Sequence, residues 1–179
     1  MHKYLVEFIG TFFLVATIGF VAVAPGSAGA MAPLAIGILL TAIVYAGGPV
    51  SDAHYNPAVT IAMLIRGRSP LADVLPYIAA QLFAAVGASF LVLFVKGHPE
   101  VTAMTLDLNR ALVAEIMFTF ALVWVILQVA TTKASEGNSY FGIAIGSIVA
   151  GGVYAVGGVS GGVFNPAVAV AVSIMGLAS

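Results

Sequence analysis

Val50-Ser51-Asp52-Ala53-His54-Tyr55-Asn56-Pro57-Ala58-Val59 returns as Val159-Ser160-Gly161-Gly162-Val163-Phe164-Asn165-Pro166-Ala167-Val168, at an offset of 109 (Asn56 to Asn165). Upstream, Leu34-Ala35-Ile36-Gly37 returns as Ile143-Ala144-Ile145-Gly146 at the same offset. Further back, Glu7, Thr11, Phe12, Leu14 and Val15 match Glu115, Thr119, Phe120, Leu122 and Val123 at an offset of 108. Three blocks held in one register are an internal duplication. Asn before Pro is a favoured helix N-cap, and Pro at the first helical position is preorganised for a helix start. Each Asn-Pro-Ala-Val therefore opens a helix, over 56–65 and 165–177. The first has ten residues before Arg66-Gly67-Arg68, too few to cross a bilayer. Both read as half-helices.

The rest of the chain says what surrounds them. Of its 179 residues, 61% are hydrophobic and 7% charged, and the mean hydropathy is +1.13. A soluble domain carries about 25% charged residues, so this chain belongs in a membrane. Six basic and seven acidic residues leave a net charge of −1 and no basic stripe for nucleic acid. The absence of cysteine excludes disulfides, thiol catalysis and Cys-ligated metals. Five segments approach the ~20 apolar residues of a spanning helix: 4–24, 33–47, 72–95, 111–130 and 141–157. The first is too long for the apolar region of a signal peptide and reads as a true span. If the five alternate, Lys3, Arg66, Arg68 and Lys133 fall on one side, with Lys96 and Arg110 on the other. The excess of basic residues then places the N-terminus in the cytoplasm, with the chain multi-pass in the cell (inner or plasma) membrane.

A single channel domain, 1–179, divides into repeat one (1–97) and repeat two (98–179). Each repeat opens with two spans and a half-helix, and a third span closes the first. Three is odd, so the second repeat enters the membrane inverted. Inverted repeats place their site at the bilayer midplane, where broken helices meet. Irregular backbone at that depth is tolerated only when it is buried in protein or lines a water-filled cavity. The junction presents the amides of Asn56 and Asn165 and two positive dipole ends, each worth about half an elementary charge. A cation is repelled there, while a neutral hydrogen-bonding molecule can accept from both amides. Ordinary surface caps would explain one such motif but not two in register.

The paired Asn56-Pro57-Ala58 and Asn165-Pro166-Ala167 segments, with Glu-x-x-x-Thr-Phe early in each half, resemble the major intrinsic protein family of aquaporins and glycerol facilitators, in its bacterial form. The resemblance covers the whole chain. It implies an all-α fold of six tilted spans and two re-entrant half-helices, a homotetramer with a pore in each protomer, and passive conduction of water or small neutral solutes, with no cofactor. It further implies that Glu7 and Glu115 are structural, accepting hydrogen bonds from the loops that carry the half-helices. His54 matches a pore-lining residue of the cytoplasmic side, and Asp52 stands where the family usually has Gly. Gln81 reads as an interhelical hydrogen-bonding residue. His98, Glu100 and Asp107 read as solvated.

Two departures matter. The family's second motif usually continues with Arg, one wall of the narrow outer filter. Here that residue is Val168, and the other filter positions fall on Ile36, Val153 and Gly162. All four are apolar or lack a side chain, leaving backbone carbonyls near Gly161 and Gly162 as the polar groups. Such a filter discriminates by width and dewetting. The second departure is the sixth span, which has no counterpart. Fourteen residues follow Asn165, so a natural product that continues is expected over a five-span fold, since a deleted span would open the pore wall to lipid.

These features favour a passive channel for water, glycerol, urea, ammonia or hydrogen peroxide. A secondary transporter shares inverted repeats but needs ionisable coupling groups, and the two intramembrane carboxylates already have a structural role. A non-conducting homologue is the other alternative. No enzyme is expected: Ser51 and Ser160 lack a His–Asp partner in both repeats, so no residue is assigned to catalysis. His54 without neighbouring ligands makes no metal site.

Overall fold

The computed structural model describes residues 1–25 and 27–178. They form seven α-helices: α1 (His2–Ala22), α2 (Ala32–Ser51), α3 (Pro57–Ile65), α4 (Leu71–Val95), α5 (Leu108–Thr131), α6 (Phe141–Ser160) and α7 (Pro166–Ile174). Among the described residues no strand forms, beyond an isolated bridge between Met104 and Ala178. Five helices are long and apolar enough to cross a membrane. The two nine-residue helices α3 and α7 are not, at about 13 Å each.

The five spans lie where hydropathy expects them, but two run further. α2 continues past Gly47 through Gly48 and Pro49 to Ser51, and α6 continues past Gly157 to Ser160. What ends them is backbone handedness. Asp52 caps α2 in the left-handed region at φ 61°, and Gly161 caps α6 at φ 89°. Glycine enters that region without penalty, and Asp is among the few other residues that tolerate it. This accounts for the pairing of Asp52 with Gly161 in the repeat. α7 closes at Ile174, short of the expected 177, because Gly176 turns left-handed at φ 70°.

α1 packs on α2 and α4, α5 packs on α6, and α2 crosses α6 as the most extensive pair. The crossing depends on small residues. A Cβ on Gly37 would lie 2.6 Å from the Gly146 carbonyl oxygen, so neither helix can carry a side chain there. Each half-helix touches the opening span of the other repeat, α3 on α5 and α7 on α1. Polarity is turned inward: Glu7, Thr11, Gln81, Asn56 and Asn165 are buried, while Phe13, Phe83, Ile116, Phe120 and Trp124 face out. That pattern suits lipid as solvent.

The basic residues sort by end as the alternation requires. Lys3 pairs with Asp73 at the start of α4 (2.5 Å). Arg66 Nε donates to Thr131 Oγ1 (3.2 Å) and Arg68 to the Thr131 carbonyl (2.7 Å), at the end of α5. Lys96 reaches the Pro25 carbonyl at the opposite end. Asp107 does more than face solvent. It caps α5, accepting from the Arg110 amide at 3.2 Å and pairing with its guanidinium.

Candidate pore and its re-entrant loops

The loop ahead of each half-helix is pinned by one buried carboxylate from an opening span. Glu7 of α1 accepts from the amides of His54 (2.9 Å) and Tyr55 (2.7 Å), the Ser51 hydroxyl (2.7 Å) and Gln81 Nε2 (2.8 Å). Glu115 of α5 accepts from the amides of Val163 (3.0 Å) and Phe164 (2.6 Å) and the Ser160 hydroxyl (2.6 Å). Ser51 and Ser160, five residues before each Asn, are thus loop anchors. The matched pair at that spacing was the available signal for this role.

The cost of this arrangement appears in the backbone. Tyr55 and Phe164 both take φ 48°, and Ala53 takes φ 49°. Left-handed geometry costs a residue with a Cβ roughly 1–2 kcal/mol, and persists only where the surroundings over-determine it. Here the carboxylate supplies that determination. With the amides of residues 54, 55, 163 and 164 turned onto glutamate, the carbonyls of His54 and Val163 accept no hydrogen bond from the described residues.

The half-helices meet tip to tip. Asn56 Oδ1 accepts from the Ala58 amide and Asn165 Oδ1 from the Ala167 amide, both at 2.9 Å. Their amide nitrogens cross the repeat boundary. Asn56 Nδ2 donates to the Phe164 carbonyl (2.8 Å) and Asn165 Nδ2 to the Tyr55 carbonyl (2.9 Å). A carboxamide has two N–H donors. One from each Asn ties the repeats together and one is left over.

Three cavities lie in series through the molecule. A central one of about 70 Å³ is walled by Asn56, Asn165, His54, Ile36, Val153, Val168 and aliphatic neighbours. It shares Val44, His54, Ile126 and Ile145 with a vestibule of about 610 Å³ bounded by Arg68, Lys133 and Glu136. It shares Ile18, Ile36, Val153 and Gly161 with another of about 420 Å³ at the start of α2 and the end of α6. α2 runs from the second vestibule to the first, roughly 30 Å apart.

All four residues assigned to the outer filter line the central cavity: Ile36, Val153, Gly162 and Val168. Gly162 sits at φ 66°, and a Cβ there would lie 3.0 Å from Val153 Cα. The wall is that close at this point. His54 is 5% exposed and lines both the central cavity and the larger vestibule. Gln81 is wholly buried and bridges Glu7 to Thr60 Oγ1 (3.1 Å). His98 and Glu100 lie in the connection ahead of α5. The cluster of Lys3 and Tyr4 on Asp73 joins residues about 70 apart and carries no local sequence signal.

Comparison with known proteins agrees with this architecture. The family model described as "Major intrinsic protein" matches residues 1–178. The chain is 38% identical to glycerol uptake facilitator protein-like 6 of Lactiplantibacillus plantarum, over 93% of this chain and 81% of that protein. It is 37% identical to aquaporin NIP1-4 of Oryza sativa subsp. japonica, over 98% of this chain and 67% of that protein. It is 36% identical to aquaporin AqpM of Methanothermobacter thermautotrophicus, over 75% of this chain and 58% of that one. The solved aquaglyceroporin from Plasmodium falciparum superposes with a TM-score of 0.76 at 20% identity, covering 97% of this chain and 82% of its own, and so shares the fold. The duplicated sequence, the crossed asparagines and the family match together establish that the chain belongs to the major intrinsic protein family.

Proposed function

We propose that the protein is a passive channel for water and small neutral solutes, with the path running through each protomer. The observation that carries this reading is the series of three cavities sharing walls from one end of the spanning helices to the other, past Asn56 and Asn165. Related proteins carry the names aquaporin and glycerol uptake facilitator, which points to water and glycerol, with urea, ammonia and hydrogen peroxide in the same chemical class. Repeat one is taken as 1–97 and repeat two as 98–179. The end bearing Lys3, Arg66, Arg68 and Lys133 is assigned to the cytoplasm by its basic excess. The membrane is the cell membrane, and the assembly, on the family resemblance, is a homotetramer.

The selectivity mechanism follows from the walls. Spare N–H donors on Asn56 and Asn165, at two helix N-termini, offer hydrogen bonds to a solute oxygen or nitrogen and raise the energy of a cation. The ring of Ile36, Val153, Gly162 and Val168 offers only backbone carbonyls. A molecule stripped of hydrogen bonds there without replacement loses several kcal/mol, so the ring favours solutes that need few partners at once.

Stopped-flow measurements on proteoliposomes, with water, glycerol, urea and ammonia side by side, test this reading. A channel gives flux nearly linear in solute concentration and above that of protein-free vesicles. Saturating flux would make the protein a carrier, and flux at the vesicle background would make it a non-conducting homologue.

A further inference from the structure

Behind the re-entrant loop of the first repeat lies a chain of buried polar groups; at the matching positions in the second repeat His54 and Thr60 are replaced by Val163 and Ala169. It begins at Glu7, whose two oxygens each accept a backbone amide, from His54 and from Tyr55. A carboxylate donates nothing, so Gln81 must turn its NH₂ toward it; the amide orientation follows from chemistry. The remaining Gln81 N–H points at Thr60 Oγ1, 3.1 Å away. Thr60 Oγ1 has two other neighbours, the Asn56 carbonyl at 3.1 Å and His54 Nδ1 at 3.2 Å.

A hydroxyl has one proton to give and two lone pairs to receive. Gln81 fills one lone pair. The Asn56 carbonyl can only accept, so it takes the hydroxyl proton. One lone pair is left, and it faces His54 Nδ1. Every neighbour is satisfied only if His54 donates from Nδ1. Its Nε2 is buried and has no partner among the described residues. Placing the single proton of a neutral imidazole there would instead leave a buried N–H without an acceptor, and such orphans are rare in native proteins.

We propose that Thr60 is a positioning residue that holds His54 as the Nδ1–H tautomer, leaving Nε2 as a bare, buried nitrogen in a residue that walls both the central cavity and the larger vestibule. The tautomer does not depend on the channel reading.

Nitrogen-15 solid-state NMR of histidine-labelled protein in bilayers reads the tautomer directly, with the His54 signals identified by their loss in His54→Asn. At neutral pH one protonated nitrogen, Nδ1, and one bare nitrogen, Nε2, are expected. Hδ1 should show a through-space contact to the Thr60 β-proton. Thr60→Ser should retain the spectrum and Thr60→Val should give a mixture of tautomers. An Nε2–H signal in the wild type would overturn the proposal. So would the absence of the Thr60 contact, or an unchanged spectrum in Thr60→Val. None of these readings depends on whether solute flows, so a failed flux assay and a failed tautomer assignment are distinguishable.

Discussion

The loops ahead of α3 and α7 are held by the same parts, a glutamate from an opening span, a serine at the preceding helix end and an asparagine cap, yet they present different faces to the conduit. In the first loop the pore-side residues are His54 and, behind it, Thr60 and Gln81. The repeat partners of His54 and Thr60 in the second are Val163 and Ala169. The supports differ in kind as well. The Tyr55 ring is seated against Gly10 and Gly47, while Phe164 lies over Gly152 with its ring centroid 5.4 Å from that of Phe118. The shared residues build the scaffold, and the unshared ones make one loop polar and the other apolar.

That division can be broken most forcefully at the glutamates. Glu7→Leu would strand two backbone amides, a hydroxyl and the Gln81 amide, all buried, at about 1–3 kcal/mol for each group left unpaired. Glu115→Leu strands three groups in a less buried setting. The larger fall in detergent melting temperature is expected for Glu7→Leu, with each Gln variant above its Leu counterpart. Equal melting temperatures for Gln and Leu variants would remove the scaffold role.

The asparagines should behave alike, because their bonds across the repeat boundary match within 0.1 Å (2.8 and 2.9 Å). Asn56→Asp and Asn165→Asp each remove the donor to a buried carbonyl, about 1–3 kcal/mol, and place a carboxylate at positive dipole ends. Cation currents in planar bilayers are expected for both variants. Currents at background for both would locate the cation barrier elsewhere.

A smaller effect separates the aromatic seats. Gly→Ala inside a helix normally gains up to about 1 kcal/mol. At Gly10 the new methyl would overlap the buried Tyr55 ring, and at Gly152 it would lie 2.8 Å from Phe164. Overpacking of this kind costs ~1–3 kcal/mol, so both variants should lose stability, Gly10→Ala the more. A gain at Gly10, read by thermal unfolding in detergent, would mean that Tyr55 is not seated there.

Much of this was legible before the structure. The offset of 109 and the Asn-Pro pairs carry the half-helices, and α3 runs over Pro57–Ile65 within the expected 56–65. The ends of α2 and α6 were not legible. Gly47-Gly48-Pro49 resembles a helix breaker, but packing against Tyr55 and the left-handed turn at residue 52 set the true end. The buried chain from Glu7 through Gln81 and Thr60 to His54 joins α1, α3 and α4 across 74 residues. Only the three-dimensional arrangement of those helices shows it. The left-handed strain at Tyr55 and Phe164 was hidden for the same reason, since neither residue type announces it.

Val59 and Val168 occupy the same place after each motif, so neither motif is followed by a charge. The sharpest test of the division between scaffold and selectivity is the ratio of glycerol to water permeability in proteoliposomes, wild type against Val168→Arg. If Val168 faces the conduit beside Ile36, Val153 and Gly162, a guanidinium there narrows the ring and adds donors. The ratio should then fall by about tenfold, equivalent to about 1.4 kcal/mol. A ratio that stays the same or rises would show that residue 168 does not form the filter, and would contradict the assignment of selectivity to the apolar loop.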